Sequence, residues 1–329
     1  MKSIQSFEIA IIGGSFSGLS AALSLVRSLR NIVVIDSGNP CNQNTPASHN
    51  FITHDGTNPK LIREKTIYDL SKYPNFHSIY GEVNSIEKSD KGFLLKGNGI
   101  PLLQADKIIF ATGLKDVLPE IPGFAESWGK SILHCPYCHG YEVVGKTTGL
   151  WMNENGVFEH AKFLKHWGKE ITVYTNGPIQ FSEEEEVKLK KEGVSFITEK
   201  VKTLIHDKGQ LTSIQFVSGK ESPLDVLYAR VPMVQHSSLP ESLGCKILPS
   251  GHLEVSNFYE TNLPGVYAVG DMASIFRSVA HAVHSGNIAG AMLNRAMILS
   301  KLHFFDKIRS CVFADDLYHE SSPRFWIFL

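Results

Sequence analysis

Apolar residues along this chain fall in short uninterrupted runs separated by longer amphipathic stretches, the pattern of strands buried on both faces that alternate with helices. Residues 7–12, Phe-Glu-Ile-Ala-Ile-Ile, predict a buried strand, and the small-residue stretch 19–29 predicts a helix. A second apolar run, 31–36, ends in Asp36. Residues 59–70 predict a helix, 77–80, 81–87 and 92–96 short strands, and 107–113 an apolar strand ending Ala111-Thr112-Gly113. Pro119, Pro122 and Gly123 mark a boundary. Beyond it the alternation restarts with strand 146–151, helix 156–167, strand 170–174, helix 182–192 and short strands to Arg230. The chain then returns through 251–255 to an apolar strand ending Gly270-Asp271, followed by a helix of small residues, 278–297. Such repetition predicts an α/β fold.

Several of these junctions carry chemistry. Strand 7–12 runs into Gly13-Gly14-Ser15-Phe16-Ser17-Gly18 and then a helix, the arrangement of a dinucleotide site in which backbone approaches a pyrophosphate and the helix N-terminus holds its charge. Ser15 stands where the usual motif has its middle glycine. Asp36 ends the next strand, where a carboxylate meets a ribose hydroxyl, and Ser37 opens a long loop to residue 59 that contains His49 and Asn50. A loop of this length in a compact domain is usually functional. Ala111-Thr112-Gly113 brings backbone back to the same place. Asp271, ahead of the helix that starts near Ser278 and Val279, sets a second carboxylate for a ribityl hydroxyl and a helix N-terminus for a flavin. In the second repeat the equivalent turn is Met152-Asn153-Glu154-Asn155-Gly156, with one glycine and a carboxylate, and Tyr174-Thr175-Asn176-Gly177-Pro178 offers no arginine for a 2′-phosphate. This half has the pattern of a nucleotide-binding unit without its grip.

Between the repeats lies His134-Cys135-Pro136-Tyr137-Cys138-His139-Gly140. Two thiols at this spacing on a turn into a helix close a small disulfide ring, and a helix N-terminus lowers a thiolate pKa. A structural zinc would need a second pair of ligands, and Cys41, Cys245 and Cys311 are isolated, so the reading is redox and no metal site is expected. His139 beside the dithiol is a candidate acid and base near neutral pH, with His134 and His281 as further candidates.

Composition narrows the field. The 329 residues are 43% hydrophobic and 20% charged with net charge −1, an ordinary globular balance with room for about two domains and no basic surface for nucleic acid. The Glu183 to Glu186 block reads as the solvated first turn of a helix. The chain opens on a strand without an apolar leader, and no apolar run reaches 18 residues, so a cytoplasmic protein with no membrane span is expected.

Gly13-Gly14-x-x-x-Gly18, Asp36, Ala111-Thr112-Gly113, Cys135-x-x-Cys138 and Gly265-x-x-Ala268-x-Gly270-Asp271 together resemble the low-molecular-weight thioredoxin reductase family over residues 5 to 298. The resemblance implies a homodimeric FAD enzyme of two Rossmann-like three-layer domains, the second inserted into the first. The FAD-binding domain is then 1–116 and 245–302, the NAD(P)-binding-like domain with the dithiol 117–244, and 303–329 a C-terminal extension expected to pack on its own subunit or the dimer mate. It also implies that Cys138 faces the flavin and Cys135 exchanges with substrate, a thioredoxin-like protein disulfide or a small dithiol. His139 stands where the family usually has an aspartate, and Cys-x-x-Cys-His resembles a subgroup that includes dithiol oxidases and reductases fed by a ferredoxin-type donor. The expectation is a flavin thiol-disulfide oxidoreductase that does not use NADPH efficiently. The rivals are an NADPH-dependent thioredoxin reductase and a flavin redox sensor without turnover.

Overall fold

The computed structural model describes residues 4–312 other than Lys169 and, for 301–312, the helical backbone alone. In chain order the first unit contains β1 (Gln5–Ile12), α1 (Phe16–Arg27), β2 (Ile32–Asp36), α2 (Pro59–Leu70), β3 (Phe76–Tyr80), β4 (Glu82–Ser89), β5 (Gly92–Asn98) and β6 (Leu103–Phe110), and β7 (Leu114–Asp116) leaves it. The second contains α3 (Phe124–Ser127), β8 (Ile132–Leu133), α4 (Pro136–His139), β9 (Thr148–Trp151), α5 (Val157–Leu164), β10 (Ile171–Tyr174), α6 (Glu183–Lys191), β11 (Ser195–Ile197), β12 (Val201–Asp207), β13 (Gln210–Phe216), β14 (Glu221–Pro223) and β15 (Val226–Ala229). The chain returns through β16 (Met233–Gln235) to α7 (Leu239–Leu243), β17 (Val266–Ala268) and α8 (Val279–Val312).

The first sheet runs β3-β2-β1-β6-β5-β4, with β17 paired to the C-terminal half of β6. It is parallel through β3, β2, β1, β6 and β17 and antiparallel at the β4–β5 end. The second runs β11-β10-β9-β15-β8, all parallel, beside an antiparallel β12-β13-β14 sheet. The two crossings between units, β7 and β16, pair antiparallel. This is the expected α/β architecture of two Rossmann-like units with the second inserted in the first.

Alternation along the buried strands explains the layers. Ile9, Ile11, Ile32, Val34 and Ile109 meet Leu19, Ala22, Leu25, Ala289 and Leu293 of helices α1 and α8, whereas Ala10, Ile12, Val33, Ile35, Ile108 and Phe110 fill the opposite face. Each Val, Leu, Ile or Phe side chain among them contributes about 1.5–3 kcal/mol on burial. The small residues of α1 and α8 let their backbones meet, since a Cβ on Gly286 would overlap the Ser17 carbonyl. Leu239, Leu243 and Cys245 pack on the first unit's core.

Three element boundaries differ from the sequence reading. The strand expected to end at Gly113 stops at Phe110, because Ala111-Thr112-Gly113 turns away with Gly113 at φ +69°. The helix expected over 156–167 ends at Leu164, whose carbonyl accepts from both Trp167 N and Gly168 N in a tight turn. The last helix runs past 297 and across 302 to Val312, having no proline or glycine to stop it. The remainder of the expected C-terminal extension, 313–329, lies outside the described residues. Among those described, no helix is long and apolar enough to cross a membrane.

Candidate active site

The two units share one cavity of about 640 Å³, within the 300–1,000 Å³ usual for cofactor and ligand sites. From the first unit Gly13, Gly14, Ser15, Phe16, Ser17, Asp36, Ser37, His49, Asn50, Ala111, Thr112, Gly113, Gly270, Asp271, Ser278 and Val279 line it; from the second, Cys135, Cys138 and His139 do. Gly18 does not. It sits behind the turn, where a Cβ would overlap the Gly13 carbonyl. Gly13 has φ +107°, and a Cβ there would run into the Ala111 carbonyl, so the β1–α1 turn and the Ala111-Thr112-Gly113 turn close on each other only with glycine.

Cys135 and Cys138 are joined as a disulfide with Cα atoms 5.3 Å apart. The helix they enter, α4, is a single turn, so its dipole contributes little at the sulfurs, contrary to the sequence reading. Partly buried His139 meets His49 edge to face with ring centroids 6.1 Å apart. Burial, and secondly the neighbouring His49, lower the His139 pKa. His134 opens on the cavity and stacks on Trp128 at 6.2 Å. Desolvation and then Arg277 lower its pKa. Both imidazoles are therefore bases rather than cations at neutral pH. His281 packs on Tyr259, Phe276 and His284 and does not line the cavity.

The second unit's β9–α5 turn is tied down by its own side chains. Asn153 Nδ2 donates to the carbonyls of Thr175 and Pro178 at 3.1 and 2.9 Å, and its Oδ1 accepts from Gln180 N at 2.8 Å. Gly156 N and Phe158 N, the amides opening α5, donate to the two carboxylate oxygens of Glu185 at 2.6 and 3.1 Å. Glu185 belongs to the acidic block expected to be solvated. Only its neighbours Glu183 and Glu184 are exposed. Glu154 approaches Arg230 at 3.5 Å.

Residues 7–286 match the family model described as pyridine nucleotide-disulphide oxidoreductase. The chain belongs to that family. A thioredoxin reductase of Claviceps purpurea is 31% identical over 91% of this chain and 96% of its own length, and one of Leptosphaeria maculans 29% identical over 88% and 93%. The crystal structure of an oxidoreductase from Agrobacterium tumefaciens superposes with a TM-score of 0.83 at 32% identity, over 90% of this chain and 99% of that one. The chain is thus a thioredoxin reductase-like flavin oxidoreductase of the pyridine nucleotide-disulphide oxidoreductase family, and FAD is its cofactor.

The cavity fits that cofactor. Ser15 at the N-cap of α1 makes no side-chain cap bond, which leaves the amides at the start of that helix for a pyrophosphate. Asp36 and Asp271 line the cavity as carboxylates that would accept from sugar and ribityl hydroxyls. Each has a partner that the motifs do not reveal. Arg63 reaches from α2 to pair with Asp36 and also donates from Nε to the Gly14 carbonyl at 2.8 Å. Arg277 lies between Asp116 at 2.8 Å and Asp271 at 3.4 Å, all three largely buried. Burial raises the Asp271 pKa and Arg277 opposes the rise. Cys41 also faces the cavity, with its side chain exposed there. Arg277, one residue before Ser278, was the one missed group with a signal in the sequence, a lone charge in an otherwise uncharged stretch.

Proposed function

We propose that this enzyme oxidises a dithiol substrate through Cys135–Cys138 and does not use NADPH efficiently. The observation that carries the reading is Glu185: a carboxylate takes two of the open amides at the start of α5, where a second dinucleotide would place its pyrophosphate. Asn153 and Glu154 fill the turn in front of it with side chain and negative charge.

FAD held by the cavity residues would supply a two-electron acceptor for the dithiol, with oxygen as the final oxidant; a ferredoxin-type donor belongs to the opposite direction, in which the dithiol reduces a disulfide. The protein's own groups manage the sulfur exchange. A substrate thiolate attacks Cys135 Sγ and the Cys135–Cys138 bond breaks, leaving a mixed disulfide and a Cys138 thiolate. The second substrate thiol then attacks the substrate sulfur of the mixed disulfide. Cys135 leaves as thiolate, and the substrate departs as a disulfide, two electrons poorer. Neutral His139 accepts the proton of the attacking thiol. The roles of Cys135 facing substrate and Cys138 facing the cofactor, the homodimer and the cytoplasmic setting belong to the same reading; light scattering of the holoenzyme tests the dimer.

The deciding experiment follows oxygen uptake with small dithiols such as dithiothreitol, and in parallel the reduction of thioredoxin with NADPH as donor. Dithiol-driven uptake that is lost in Cys135→Ser, with little NADPH-driven reduction, is the expected result. Efficient NADPH-driven thioredoxin reduction would overturn the reading in favour of an NADPH-dependent thioredoxin reductase. Absence of any dithiol turnover would favour a sensor.

A further inference from the structure

The loop that bears His49 and the end of α4 bring two imidazoles, His49 and His139, together at the cavity, and the short turn Tyr141–Val143 that follows sets Glu142 beside them. One ligand atom from each of His49, His139 and Glu142 lies within 4.8 Å of the other two. His49 Nδ1 stands 3.4 Å from Glu142 Oε1 and 3.6 Å from Asp55 Oδ1. Ligands about 2.0–2.1 Å from a tetrahedral ion stand roughly 3.3 Å from one another. The first two atoms are therefore already at the separation that a metal would impose, and a modest turn of the His139 ring completes three ligands. Asp55 is held in place because Asn50 N donates to it at 2.8 Å.

We infer that His49, His139 and Glu142 form a site for a divalent cation of the zinc class. Two imidazoles with one carboxylate suit zinc, cobalt or nickel, whereas calcium and magnesium prefer an all-oxygen shell. Three protein ligands leave a fourth position for water or Asp55, the composition of an open site rather than a closed structural one. Reading along the chain finds no such site because zinc was sought around the cysteines, whereas the three ligands come from positions 49, 139 and 142. A filled site also fixes the His139 ring and takes it out of proton transfer. This consequence, unlike the site itself, rests on the role proposed above for His139.

The test titrates zinc chloride into the oxidised holoenzyme, in which the closed disulfide keeps both sulfurs from competing, and compares Glu142→Gln by calorimetry. Glu142 is exposed, and unchanged flavin absorbance and melting temperature verify the variant's fold. The expected result is one zinc per chain, bound at least tenfold more weakly by the variant, with X-ray absorption showing imidazole and oxygen ligands. No stoichiometric binding would overturn the site and leave His49 as an ion-pair partner of Asp55 and Glu142. Equal binding by the variant, or sulfur in the zinc shell, would overturn it too. With free zinc held by a metal buffer, dithiol oxidation should be half inhibited at the concentration that half fills the site. Filling without inhibition would refute the His139 consequence and leave the metal site standing.

Discussion

Removing Glu185 probes both what holds the second unit together and whether its carboxylate keeps a nucleotide out. Its carboxylate accepts from Gly156 N at 2.6 Å and Phe158 N at 3.1 Å, two amides that the eight-residue helix α5 cannot satisfy internally. Hydrogen bonds to a charged acceptor contribute about 1.5–3 kcal/mol each, and water reaching this half-buried site replaces roughly half of that. Glu185→Ala should therefore destabilise the unit by about 1.5–3 kcal/mol, or about 6–12 °C in melting temperature for a unit of this size. Glu185→Gln keeps one carbonyl acceptor and should lose about half as much. Trp128, Trp151 and Trp167 all lie in this unit, so tryptophan fluorescence reports its melting. The same substitution removes a negative charge beside the phosphate position, which should tighten NADPH binding about tenfold, or ~1.4 kcal/mol. A melting temperature within 1 °C of the parent, together with unchanged NADPH affinity, would refute the view that this carboxylate occupies the pyrophosphate seat.

Other consequences are open to measurement. Arg277→Met strands Asp116 and Asp271 and should destabilise the holoenzyme by about 3–5 kcal/mol; Asp116→Asn added to it should recover part of that loss in a melting experiment. Because desolvation lowers the His134 pKa below 6.5, its contribution to stability, reduced by the residue's exposure to the open cavity, is present above pH 6.5 and falls as pH drops below it. Thermal melts from pH 8 to pH 5 should thus fall more steeply in the parent than in His134→Asn. His139→Gln should slow dithiol oxidation roughly 100-fold and remove an acidic limb that lies below pH 6.5 in the kcat/KM profile of the parent.

What could be read in advance was local. The glycine turn, Asp36, the dithiol and Gly270-Asp271 are each defined by neighbours a few positions away, and the strands between them by uninterrupted apolar runs. Partners drawn from distant parts of the chain were not legible: Arg63 meets Asp36 across 27 positions, and Arg277, only six positions from Asp271, also meets Asp116 across 161. Glu185 misled for a related reason. As one of four consecutive glutamates at a helix start it looks solvated, and only the packing of α6 beside α5 turns it toward open amides. The missing grip of the second unit was visible as Met152-Asn153-Glu154, but what fills the gap was not.

The central claim is that electrons enter through Cys135–Cys138 from a dithiol and not from a pyridine nucleotide. Mixing the oxidised holoenzyme anaerobically with a small dithiol in one syringe series, and with NADPH or NADH in another, while following the flavin absorbance band, tests it most directly. The account predicts bleaching by the dithiol within seconds, abolished in Cys138→Ser, and only slow change with either nucleotide. Bleaching by NADPH as fast as by the dithiol, or by a dithiol in the absence of Cys138, would contradict it.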